Sequence, residues 1–210
     1  MKVLVACEYS GRVRDAFRAL GHDAMSCDLE PTDVPGPHYQ GNMFDIINDG
    51  WDMMIAFPPC THLAVSGAKH FAAKRADGRQ QEGVNFFMAC VNANIPRIAI
   101  ENPVGIMSNL YCEPTQIIQP WQFGDEAQKT TCLWLKNLPR LRSTKIVGKG
   151  EFVEFDSGKR LPKWYSNADA KVRSTTFPGI ALAMADQWGR LDITRECWEH
   201  NQLSLIEGVA

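Results

Sequence analysis

Cys60 and Glu101 are the side chains whose setting in this chain most suggests chemistry. Cys60 belongs to the stretch Ala56-Phe57-Pro58-Pro59-Cys60-Thr61-His62-Leu63, directly after the apolar run Trp51-Asp52-Met53-Met54-Ile55. Two prolines hold its thiol where that run ends. Glu101 opens Glu101-Asn102-Pro103 after a second apolar run, Arg97-Ile98-Ala99-Ile100. Both runs have the length of buried strands. If they are parallel neighbours in one sheet, both groups emerge at the carboxyl edge, where open α/β sheets place ligands. A thiol and a carboxyl there suit a nucleophile and a general acid. His62 does not turn Cys60 into a Cys-His hydrolase pair: side chains at i and i+2 in an extended loop diverge, and no orienting acid is in reach.

The elements that must position this edge are readable in order. Residues 2–7 predict a first strand, Glu8-Tyr9-Ser10-Gly11 a turn, and Val13, Ala16, Phe17 and Leu20 one face of a helix that stops at Gly21. Asp23-Ala24-Met25-Ser26-Cys27 predicts a second strand with Asp28 at its end, 17 residues after Gly11. An acid there accepts hydrogen bonds from ribose hydroxyls, or serves as a turn or cap residue. Residues 31–40, with three prolines and a glycine, predict a loop. Asn42 and Asp45 after it suit either a ligand base or a cap. Ser66 to Arg79, carrying Lys69, His70, Lys74, Arg75 and Arg79, predicts a mobile basic loop that either contacts phosphates as it closes over a base or lies solvated. Val84, Phe87, Met88 and Val91 predict a crossover helix over 80–94. Thr115–Gln119 and Thr131–Leu135 predict a hairpin around Phe123-Gly124-Asp125. Pro178 to Trp188 predicts a last helix packed back on the first strand region.

Composition narrows the class. The 210 residues, 45% hydrophobic and 22% charged, are those of one globular domain, and no apolar run approaches the roughly 18–20 residues that span a membrane. The opening Met1-Lys2-Val3-Leu4-Val5-Ala6-Cys7 reads as a buried strand instead of a signal peptide, which points to the cytoplasm. Seven cysteines without a Cys-x-x-Cys pair favour neither disulfides nor a metal site. The net charge of −2 hides a basic stretch: from Lys129 to Arg173 there are eleven Lys and Arg against four acids, a local balance of +7. Phe152, Phe155, Trp164 and Tyr165 are interleaved with those bases. That suits single-stranded or distorted nucleic acid, or else a solvated insertion with a small apolar anchor.

Together these residues resemble the DNA cytosine-5 methyltransferase family in its compact, bacteriophage form. Pro58-Pro59-Cys60 with Ser66-Gly67 is similar to the family's Pro-Pro-Cys loop and downstream Ala-Gly, and Glu101-Asn102 to its Glu-Asn pair. Tyr9-Ser10-Gly11 resembles the glycine loop that holds the cofactor, Asp28 the ribose-binding acid, and Gly41-Asn42 a Gly-Asp pair near the adenine. Phe123-Gly124 and Gln128 resemble the later Tyr-Gly and Gln-x-Arg-x-Arg region. The resemblance covers roughly residues 2–135 and 174–189. It implies a Rossmann-like α/β methyltransferase sheet with flanking helices, with the catalytic domain at 1–136 and 174–190. Residues 137–173 become a small basic insertion in the place of a target-recognition segment, and 191–210 a C-terminal tail.

What the resemblance implies for function is transfer of a methyl group from S-adenosylmethionine to carbon 5 of cytosine in DNA, in a bacterial or phage-infected cell. Cys60 would add to carbon 6, Glu101 would protonate or hydrogen-bond N3, and Asn102 would hold the loop or the cytosine amide edge. Tyr9, Ser10, Gly11, Asp28, Asn42 and Pro58 would bind the cofactor. Lys69, Lys74, Arg75, Gln128, Lys129 and Trp164 would contact the substrate. No metal and no membrane are implied. The chain departs from the pattern in carrying Val13 for a second glycine, Asn42 for Asp, Pro103 after the Glu-Asn pair, and Thr130 and Cys132 for two arginines. With so small an insertion the acceptor could also be RNA or a free cytosine nucleotide, and without the arginines the chain could be an inactive cofactor- or nucleic-acid-binding homologue. An amino-methyltransferase is disfavoured, because Phe57 and Cys60 stand where that loop has polar and aromatic residues.

Overall fold

A computed structural model describes residues 1–158 and 160–191. The tail expected over 191–210 lies outside them beyond Leu191. In chain order the elements are β1 (Lys2–Ala6), α1 (Arg12–Ala19), β2 (Asp23–Asp28), β3 (His38–Gln40), β4 (Met53–Ala56), α2 (Phe71–Ala76), α3 (Arg79–Val91) and β5 (Arg97–Asn102). They continue with α4 (Met107–Leu110), β6 (Gln116–Ile118), β7 (Thr131–Lys136), β8 (Phe152–Glu154), β9 (Arg160–Pro162), α5 (Lys163–Asn167), α6 (Ala170–Ser174) and α7 (Pro178–Gly189).

Seven strands form one mixed sheet in the order β3-β2-β1-β4-β5-β7-β6. β1 pairs in parallel with β2 on one side and β4 on the other, and β4 with β5, while β7 runs antiparallel to both β5 and β6. This is the α/β sheet with flanking helices read from the sequence, in an order compatible with a Rossmann-like fold. Because the chain leaves β1 first toward β2 and β3 and later returns to β4 and β5, strand order reverses between β1 and β4. Their carboxyl ends therefore frame a crevice. One residue in two along β1 faces each side: Val3 and Val5 pack with Phe17, Met184 and Trp188, and Leu4 and Ala6 with Phe87, Cys90 and Trp134. The sheet is thus covered by α1 and α7 on one face and by α3 on the other, and β1 is buried on both.

Two expectations change. Residues 31–40 are not all loop, since His38–Gln40 pairs in parallel with Ser26–Asp28. Fully buried Arg14 fixes the preceding segment, donating to Ser26 Oγ, Thr32 Oγ1 and the carbonyl of Val34. Residues 66–79 are not a mobile loop either: a 3₁₀ turn over Val65–His70 runs into α2, and α3 begins at Arg79. Ala68, Ala72, Ala73 and Ala76 supply the helix propensity. Among the described residues no helix is long and apolar enough to cross a membrane, and no cluster of acids, histidines and cysteines can hold a metal.

The expected hairpin turn docks the last helix. Asp125 Oδ2 accepts from Gly179 N at 2.9 Å at the start of α7, and a Cβ on Gly179 would lie 2.0 Å from the carbonyl oxygen of Phe123. Gly179→Val should therefore cost about 1–3 kcal/mol as an overpacked contact. Thermal unfolding should record this as a Tm lower by roughly 2–4 °C for each kcal/mol.

Candidate active site

The crevice opens where β1 and β4 end. Cys7 leaves β1 in a left-handed conformation (φ 59°), and Gly11 (φ 73°) precedes α1. Between them Glu8 is buried, with Oε1 accepting from Ser10 Oγ at 2.8 Å and from Val13 N at 3.0 Å. Ser10 Oγ also accepts from Arg12 N at 3.3 Å. The amides that open α1 are thus satisfied by the chain's own carboxylate and hydroxyl. Burial holds the Glu8 carboxyl above its usual range.

Beside this turn lies a pocket of about 270 Å³. Tyr9, Asp28 and Asn42 line it, as expected, together with Cys7, Leu29, Met43, Phe57, Pro59, Phe86 and Ser174. Three expected members are elsewhere. Ser10 is turned toward Glu8, and Gly11 serves the turn itself, where an added Cβ would meet the Arg14 guanidinium at 2.4 Å. Pro58 is buried with its carbonyl toward Asn102, so that Pro59, one residue on, forms the wall. Asn42 also caps the following 3₁₀ turn through Phe44 N, while Asp45 accepts from Tyr39 Oη. Leu29 and Phe57 had a signal in the sequence, each standing at the carboxyl end of a strand of the crevice. Phe86 had none, since it arrives from the middle of α3.

The segment carrying Cys60 is fixed through its carbonyls. Asn102 Nδ2 donates to Pro58 O at 2.9 Å, Leu63 N and Ala64 N to Cys60 O, and Gln80 Nε2 to His62 O. Lys74 Nζ donates to Thr61 O at 2.5 Å. This corrects the assignment of Lys74 to substrate: the residue is 7% exposed and its ammonium grips the loop from α2, while Lys69 and Arg75 remain exposed. Ile106 N donates to Leu63 O and Val65 N to Val104 O, which bind the loop to the segment after Glu101. The close approach needs Gly105, where a Cβ would sit 2.5 Å from Leu63 O. Asn102 therefore holds the loop, and its buried Oδ1 has no partner.

The Glu101 charge bears on Cys60. Burial and then the Glu101 charge push the Cys60 thiol up, and Lys129 pulls it down. Burial raises the Glu101 carboxyl, and Lys129 again opposes the shift. Glu101, Lys129, Phe57, Thr176 and Phe177 line a small cavity of about 10 Å³, and Lys129 Nζ lies 3.5 Å from Thr175 O. Phe57 is common to this cavity and the larger pocket. Thr130 is exposed, with its hydroxyl accepting from Gln119 Nε2, and Cys132 is buried opposite Asn102 with its thiol pushed up to about 11 by burial. The cation of this site is Lys129. Gln128 offers its carbonyl to Trp164 Nε1, and half-buried Trp164 meets Tyr165 and Phe177 at near right angles, so it ties the segment around it to the cavity wall.

No protein-family model matches the chain, and no curated protein matches it.

Proposed function

We propose that this chain transfers a methyl group from S-adenosylmethionine to carbon 5 of cytosine in DNA, through a covalent bond from Cys60 to carbon 6. The observation that carries the reading is that β4 and β5 are parallel neighbours, which brings the Cys60 loop and Glu101 to one sheet edge, where Asn102 Nδ2 ties the loop to β5 through Pro58 O at 2.9 Å and the Glu101 charge raises the thiol. Carbon 5 of cytosine is a weak nucleophile. Once Cys60 has released its thiol proton to solvent, addition of the thiolate to carbon 6 pushes the ring electrons toward N3, which takes the proton of Glu101, and the resulting enamine is nucleophilic at carbon 5. After methylation a base removes the carbon 5 proton, the Cys60–carbon 6 bond breaks, and N3 returns its proton to Glu101.

The pocket suits this cofactor better than a dinucleotide. Asp28 stands at the carboxyl end of β2 for a ribose diol, and Tyr9 and Phe86 offer ring surface. A pyrophosphate needs free amides at a helix N-terminus, and here Glu8 and Ser10 have taken those of Val13 and Arg12. A nucleoside that carries a cation and no phosphate suits a pocket lined by the acids Asp28 and Glu30. S-adenosylmethionine, when bound, supplies an electrophilic methyl group on a sulfonium, and among the described residues Phe57 is the side chain shared by its pocket and the Glu101 cavity.

The test is incubation with tritiated S-adenosylmethionine and DNA containing 5-fluorocytosine. Fluorine cannot leave carbon 5 as a proton does, so a labelled covalent protein–DNA adduct is the expected result. Cofactor binding without label transfer to any DNA would overturn the reading. Asp28→Ala removes a charged acceptor of hydrogen bonds, each worth about 1.5–3 kcal/mol. Calorimetric titration should show S-adenosylmethionine binding weakened by roughly 10- to 150-fold, with Cys60 alkylation unchanged.

A further inference from the structure

The insertion carries rings and cations that the transfer chemistry does not use. Trp164 packs at 5.0 Å against Phe177, a wall of the Glu101 cavity, and at 5.6 Å against Tyr165. The Arg173 guanidinium lies over Tyr165 at 4.9 Å. On the adjoining hairpin Arg160 lies over Phe152 at 5.2 Å and also faces Glu154 at 3.8 Å. Both outer rings are 36% exposed. Three rings thus lead outward from the cavity wall through Trp164 to Tyr165, and Tyr165 and Phe152 each carry an arginine over the ring.

We infer that this surface is a stacking platform for a single-stranded polynucleotide, with Phe152 and Tyr165 receiving bases and Arg160 and Arg173 supplying charge along the strand. The inference rests on reading the Cys60 site as one that acts on a nucleic-acid base. Groove reading of a duplex uses extended, forked contacts from a helix or ribbon. Here α5 and α6 have five residues each, β8 and β9 three each, and both guanidinium groups sit over rings. Rings that carry cations instead match how unpaired strands are held. The Glu101 cavity, about 10 Å³ in volume, must open to admit a base. An unpaired base then enters without the unstacking cost that a duplex imposes.

The experiment is fluorescence anisotropy of the full chain with a labelled DNA strand of about 16 nucleotides, the RNA strand of the same sequence, and the DNA duplex, each over a range of salt. A single strand should bind more tightly than the duplex, and the tighter of the two strand chemistries identifies the natural one. Phe152→Ala and Tyr165→Ala should each weaken strand binding by about 5- to 150-fold. Arg160→Gln and Arg173→Gln should each lower the slope of log affinity against log salt by about 0.7. Cys60 alkylation, measured alongside, should stay at the wild-type rate and so report an intact fold. Duplex binding as tight as strand binding, no binding of any oligonucleotide, or ring variants that bind like wild type would each overturn the inference. Strand binding without methyl transfer would leave the platform standing and sink the cytosine reading alone.

Discussion

Cys60→Ser is expected to reduce methyl transfer by a factor on the order of 10³ or more, because the alcohol ionises far less readily than the thiol and attacks carbon 6 poorly. The same variant should form no adduct with 5-fluorocytosine DNA. Cofactor affinity should stay at the wild-type value, since Pro59 and Phe57 line the larger pocket and Cys60 does not. The fold should survive too, because the hydrogen bonds that hold the loop run through its backbone carbonyls to Asn102, Lys74 and Gln80. In the wild type, burial and Glu101 hold the thiol above its ordinary pKa. Alkylation by iodoacetamide should therefore rise with pH through a midpoint above that of a free cysteine. A variant that kept full transfer activity would remove Cys60 from the chemistry.

The positions of Cys60 and Glu101 were legible because each follows a short apolar run that ends at proline or asparagine, which limits where the strand can stop. The crossing from β1 to β2 was legible from Gly11 and the Phe17 face of α1. What escaped was decided by tertiary contacts. Lys74 reads as a solvated base, yet the Thr61 carbonyl needs a donor beneath the loop, and a long side chain from α2 reaches it. Pro58 and Pro59 are alike in sequence, but alternation along an extended backbone buries the first and gives the second to the pocket. Three residues of β3 between prolines and Gly41 are too few to show a period, and only pairing with β2 defines them. Trp164 reads as a stacking ring, yet its Nε1 donates to Gln128 O and it meets Phe177 and Tyr165 at near right angles, whereas Tyr165 is the more exposed of the two.

Glu101→Gln should move two reactions of one site in opposite directions. Methyl transfer should fall by about 10²- to 10⁴-fold, the usual contribution of a positioned general acid, because the amide cannot pass a proton to N3. Alkylation of Cys60 should become faster at alkaline pH, since the variant lacks the negative charge that raises the thiol. A merely structural Glu101 would slow both or neither. The pH dependence of stability supplies a third readout. Burial raises the folded-state pKa of Glu101, so the neutral carboxyl is the form the fold favours. Its contribution is fully present below the ordinary glutamate pKa and is lost as pH rises through the raised value. Glutamine carries no charge at any pH, so denaturant unfolding of the variant should lack that loss and gain stability relative to wild type on the alkaline side. Lys129 sharpens the comparison. With Glu101 ionised it faces an anion in the small cavity, and with glutamine it faces only the Cys60 thiolate, which should bring the alkylation midpoint of the variant below that of wild type.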